Sequence, residues 1–125
     1  MSEIGANALH AALSDRLGTA LRGVVRDDGN AIDHALRDDV EASYDDEEIR
    51  TFVDSSIVHQ LNAPAFEEAF RLGELEAVVR MFERSWVAQV ADGAKQGCLF
   101  SVERRDASMR AVEDGIEIVQ TELCV

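Results

Sequence analysis

The sequence has almost no lysine: Lys95 stands alone, and every other basic residue is arginine. Contacts to a phosphate backbone require clustered Lys or Arg. With Lys+Arg 12 against Asp+Glu 25, and a formal net charge of -13, the chain is not expected to bind nucleic acid directly. Cysteine is nearly as scarce. Cys98 and Cys124 lie far apart without C-x-x-C spacing, which gives no zinc or redox signature and fits a reducing compartment. No apolar run approaches the roughly 20 residues needed to span a bilayer, so no membrane insertion is expected. The N-terminal stretch MSEIGANALHAALSDRLG carries an early Glu3 and no basic region ahead of an apolar block, so it does not read as a signal peptide and the expected location is the cytoplasm.

Catalytic and cofactor signatures are missing too. The three histidines, His10, His34 and His59, fall in different elements without H-E-x-x-H or other ligand spacing, so no metal is implied. Neither G-x-x-x-x-G-K-[ST] nor G-x-G-x-x-G occurs, which removes the usual machinery for nucleotide binding. Ser14, Ser55, Ser56 and Ser101 lack the context of a nucleophile elbow. The acidic run DDVEASYDDEE, residues 38 to 48, lacks the spacing of a calcium loop and reads as a solvated face. The expectation is a protein that is not an enzyme, with no catalytic residues, no cofactor and no metal.

What is abundant is acid, in a chain that is still 46% hydrophobic. Such content supports a packed core, and 125 residues suit one domain, residues 1 to 125. Plentiful carboxylates with near-elimination of lysine point to a salt-saturated cytoplasm. At molar salt the Debye length falls to roughly 3 Å, so acidic residues repel one another far less than formal charge implies. Carboxylates there hold water and cations and keep the protein soluble.

Periodicity orders the chain. Ile4, Leu9, Leu13 and Leu17 form a helical stripe that ends at Gly18. TALRGVVR at 19 to 26 and AIDHALR at 31 to 37, separated by DDGN, read as a β-hairpin. Ser43 and Asp46, ahead of Ile49, Phe52, Val53, Ile57 and Leu61, read as a capping box opening an amphipathic helix, with a break near Pro64 and AFEEAFRL as a further helical piece or loop. Three strands follow, the first spanning Glu74 to Glu83, the next opening at Trp86 and the last holding Cys98, Phe100 and Val102. Met109, Val112, Ile116, Val119 and Leu123 give a C-terminal helix starting from Asp106 or Ser108. The fold class expected is therefore α+β, a five-stranded, mostly antiparallel sheet in the order helix, two strands, helix, three strands, helix. Helices must cover both faces, because several strands are apolar on both sides.

That order resembles the roadblock and longin type of domain within the profilin-like group, which implies a sheet of order 2-1-5-4-3 with the first and last helices on one face and the middle helix on the other. In such a sheet His34 and Cys98 would lie about two strand spacings apart, on the order of 10 Å, out of reach for a nucleophile pair. The strings LRDDVE (36 to 41), LGELEAVVRMFE (72 to 83) and SMRAVED (108 to 114) are also similar to an uncharacterised haloarchaeal family of small proteins, a domain of unknown function. This resemblance implies a halophilic setting and supplies no catalytic residues.

Charge is distributed unevenly. Residues 27 to 48 hold ten acids against Arg37, net -9, whereas residues 78 to 105 are net +2. The meander of three strands is the surface least guarded by self-repulsion, and its first strand is expected at a sheet edge, which invites pairing. The candidate interface is Glu76, Val78, Arg80, Phe82, Arg84 and Trp86. The function expected is a non-catalytic interaction or regulatory scaffold that homodimerises through this strand and the middle helix; resemblance to roadblock domains adds a regulatory partner such as a small GTPase. The alternative is a PAS-like sensor with a small apolar pocket between sheet and helix.

Overall fold

The computed structural model describes residues 4–27, 31–61, 68, 70–92 and 96–123, and of residues 56–61 the backbone alone. Its strands are β1 (Leu21–Asp27), β2 (Ile32–Leu36), β3 (Ala77–Met81), β4 (Ser85–Ala91) and β5 (Gly97–Glu103). They form one open sheet of order β2-β1-β5-β4-β3, antiparallel at every pairing. The helices are α1 (Ala6–Leu17), the short α2 (Asp38–Glu41), α3 (Asp46–Leu61) and α4 (Met109–Leu123). This is the α+β class that the periodicity predicts, in the strand order that the resemblance to roadblock domains implies.

Two helices cover one face. α1 buries Ala6, Leu9, Leu13 and Leu17, and α4 buries Ala111, Val112, Gly115, Val119 and Leu123. Both stripes pack on Val24, Ala88, Val90, Phe100 and Val102 of the sheet, which form the main core. The helices are fixed at their N-termini, where amides lack intrahelical partners. Ser108 Oγ accepts from Ala111 N at 3.2 Å, while the first amide of α1 is satisfied from another element, Ala6 N donating to Asp33 Oδ2 of β2 at 2.8 Å.

α3 lies on the other face. Its Val53 packs with Val87 and Leu99, flanked by Val25 and Ile32, and this smaller cluster is the second core layer. Its capping box is not the expected Ser43 and Asp46 pair: Glu48 N donates to Asp45 Oδ1 at 2.8 Å and Asp45 N donates to Glu48 Oε1 at 3.1 Å. The reciprocal bonds need an acceptor side chain at the cap and Glu or Gln three residues on, and Asp45 with Glu48 meets both conditions. Ser43 instead donates from its hydroxyl to Asp39 O, because the acidic run folds into α2 before α3 begins.

β3 is shorter than the expected Glu74 to Glu83. It holds strand geometry over Ala77–Met81, bounded by the bond from Ala91 N to Glu76 O at 3.0 Å and by the turn closed where Phe82 N donates to Ser85 O at 2.8 Å. The break at Pro64 and residues 65–67 and 69 of AFEEAFRL lie outside the described residues, as do Lys95, Cys124 and the side chains of Ile57, His59 and Leu61.

Candidate functional site

Residues on the α3 side of the sheet build the candidate site, and an irregularity in β1 starts it. Leu21 pairs with Val102 and Gly23 with the next residue back, Ser101, so two residues of β1 oppose one of β5. Such a bulge re-aims a side chain. Leu21 stays in the main core, while Arg22 turns to the opposite face, where its Nη1 donates to Ser101 Oγ at 2.9 Å and Ser85 Oγ at 3.1 Å. Its Nε lies 3.6 Å from Glu103 Oε1.

Beside Arg22 the sheet is low. Gly23 has no side chain, and a Cβ there would meet Leu36 Cδ2 at 2.5 Å. The result is a groove of about 740 Å³ between the sheet and α3. Its floor is Val25, Val87 and Leu99, its α3 wall is Ile49, Phe52 and Val53, and Tyr44 and Phe82 flank its mouth. The volume falls in the range of small-molecule pockets, roughly 300–1,000 Å³. Acids line the α3 rim, Asp45 and Glu48 being engaged in the capping box.

Glu103 links the groove to a second, wholly charged recess. Arg37 Nη2 donates to Glu103 Oε1 at 2.8 Å, and its Nε donates to Asp39 Oδ1 at 2.6 Å. The Arg37 guanidinium holds the Asp39 carboxyl below its usual range. Around Arg37 gather Arg84, Arg104 and Arg105 with Glu83, Glu103 and Asp106, enclosing about 680 Å³.

The expected interface residues divide between two faces. Register sets Val78 opposite Gln89 and Arg80 opposite Val87, and the bonds at Glu76 and Phe82 continue the alternation, so these four point to the α3 side. Val78 and Arg80 are half-buried; Glu76, Phe82 and Arg84 are exposed. Trp86 belongs elsewhere. It is buried in the main core on the α1 and α4 side, its Nε1 donates to Ala107 O at 3.1 Å, and Arg104 stacks 5.5 Å from its ring centroid. Trp86 therefore offers no contact surface, since its ring is held by the core and by the turn into α4.

Other candidates resolve as structure. His34 faces α3, with Nε2 3.5 Å from Asp46 Oδ1, and Cys98 lies on the opposite face paired with Arg26. No His34 and Cys98 pair can form across the sheet. Burial pushes the Cys98 thiol up to about 12, opposed by the nearby Arg26 guanidinium, so it is unreactive at neutral pH. Arg26 is itself buried: Nη1 donates to the carbonyls of Asp27 and Gly97, and Nη2 donates to Asp92 Oδ2 at 2.9 Å. It clamps the end of β1 to the connection between β4 and β5. Among the described residues no group of three or more His, Cys, Asp or Glu side chains is arranged to hold a metal, and no helix is long and apolar enough to cross a membrane.

Arg22, Ser85 and Ser101 escape sequence reasoning. A bulge leaves no mark in the alternation, and Ser101 draws attention only as a nucleophile. The polar break Arg22-Gly23 inside TALRGVVR is the one local signal.

The fold and groove define an α+β domain with an open antiparallel sheet, a two-helix layer behind it and a loosely filled helix layer in front. The chain belongs to the family described as a domain of unknown function, DUF7522, whose model matches residues 7–123. No curated protein matches it.

Proposed function

We propose that this domain is a non-catalytic interaction module, a scaffold or regulator that pairs with a second copy of itself through β3 and the α3 side. The observation that carries this reading is the placement of exposed apolar side chains. Of the seven large hydrophobic residues exposed among the described residues, six fall between residues 44 and 82: Tyr44, Phe52, Phe70, Leu72, Met81 and Phe82. In a chain of net charge -13 such a concentration marks a contact surface: Tyr44, Phe52 and Phe82 line the groove on the α3 side, and Met81, opposite Trp86, stands on the other side of the edge strand. β3 ends the sheet order, and the two hydrogen-bonded positions that bracket it, Glu76 and Phe82, leave Ala77, Val79 and Met81 with their backbone groups turned outward. An outward-turned edge is a template for another strand.

The strand order and helix placement are those expected from resemblance to roadblock domains, which favours a regulatory partner such as a small GTPase. The acidic, lysine-poor composition favours a halophilic archaeal cytoplasm as the setting. Light scattering in molar KCl tests the pairing. The wild type is expected at twice the mass of the chain, and Phe82→Asp, at a residue 49% exposed, is expected as a folded monomer. A monomeric wild type would remove the edge-pairing model.

The groove favours a second reading, a PAS-like sensor of a small ligand held between sheet and α3. Native mass spectrometry separates the two: a co-purifying small molecule on a monomer supports the sensor, and a ligand-free dimer supports the interaction module.

A further inference from the structure

We propose that the charged recess at the end of the sheet, where the β3–β4 turn meets the turn leading into α4, binds a compact, multiply charged phosphate group. The chain offers two acids for each basic residue, Asp+Glu 25 against Lys+Arg 12. Four arginines elsewhere make use of that excess: Arg16, Arg22, Arg26 and Arg110 each approach a carboxylate. Arg84, Arg104 and Arg105 have no carboxylate within ion-pair distance among the described residues, yet they come together around one recess of about 680 Å³.

The lining acids do not cancel this charge. Glu103 is already shared by Arg22 and Arg37, which leaves Glu83 and Asp106 against the three arginines. Arg104 is also held in place. Arg104 N donates to Arg84 O at 3.0 Å and ties the two turns together, while the Arg104 guanidinium stacks on Trp86 and donates to Phe82 O at 3.3 Å. Planar guanidinium forks match pairs of phosphate oxygens. Three forks at one recess suit a di- or triphosphate better than a single carboxylate, whose one charge a single arginine satisfies. A polynucleotide is disfavoured, because its neighbouring phosphates would meet the surrounding acidic surface. Direct fork contacts also survive molar salt, where long-range attraction is screened beyond roughly 3 Å.

The test is a titration of the full chain in molar KCl with inorganic pyrophosphate, followed by backbone amide NMR. The expected result is saturable shifts confined to the two turns, and about a hundredfold weaker binding in Arg84→Gln/Arg105→Gln, as the loss of two charge-assisted hydrogen bonds at about tenfold each implies. Both residues are exposed, so the melting temperature of this variant should not change. Arg104→Lys, which keeps the charge and removes the fork, should weaken binding as well. Absence of saturation, shifts scattered over the surface, equal binding by the double variant, or equal binding of sulfate at matched ionic strength would each overturn the proposal.

Discussion

At Gly115 α4 packs close against the sheet: a Cβ there would lie 2.9 Å from Phe100 Cζ, 3.1 Å from its Cε2 and 3.4 Å from Leu13 Cδ2. Phe100 is fully buried and cannot swing aside. Gly115→Ala, a change that favours an isolated helix, is therefore expected to destabilise the fold by about 1–3 kcal/mol through overpacking, read by denaturant unfolding at fixed KCl. Single residues were also where the sequence was least legible. Trp86 stands among the candidate interface residues in the sequence, yet register directs it into the core. Arg26 draws no notice in the sequence but lies buried, Nη1 and Nη2 bonded to the carbonyls of Asp27 and Gly97 and to the Asp92 carboxylate while Nε has no partner among the described residues.

At the scale of elements, the first and last helices and all five strands follow from periodicity, because each carries apolar residues at the spacing of its own element. α2 and the true cap of α3 do not, since an acidic run offers several equivalent start signals and only tertiary position chooses among them. Asp45 is the residue chosen, and Asp45→Ala is expected to cost about 1 kcal/mol. It should also speed hydrogen exchange in the first turn of α3, over residues 46 to 50, leaving α4 unaffected. Equal protection in both proteins would show that the capping box is dispensable. The two proposed surfaces flank this same region: α3 forms one wall of the groove, and α2 begins next to Arg37 at the arginine recess.

For the whole molecule the governing quantity is the net charge of -13. Self-repulsion destabilises a compact acidic chain, and salt screens it. The melting temperature is therefore expected to rise steeply as KCl increases from millimolar to molar, and a flat response in calorimetry would refute the halophilic reading. The sheet order carries a different consequence. β1 lies between β2, its neighbour in sequence, and β5, so that Val24 pairs with Phe100 across most of the chain. During synthesis the hairpin of β1 and β2 has no partner until residues 97 to 103 leave the ribosome, and α1 waits still longer for α4. The nascent chain thus holds β1, with its core residues Leu21 and Val24, open for most of its translation time, and in that interval the acidic segment following β2 would serve as its solubilising tether.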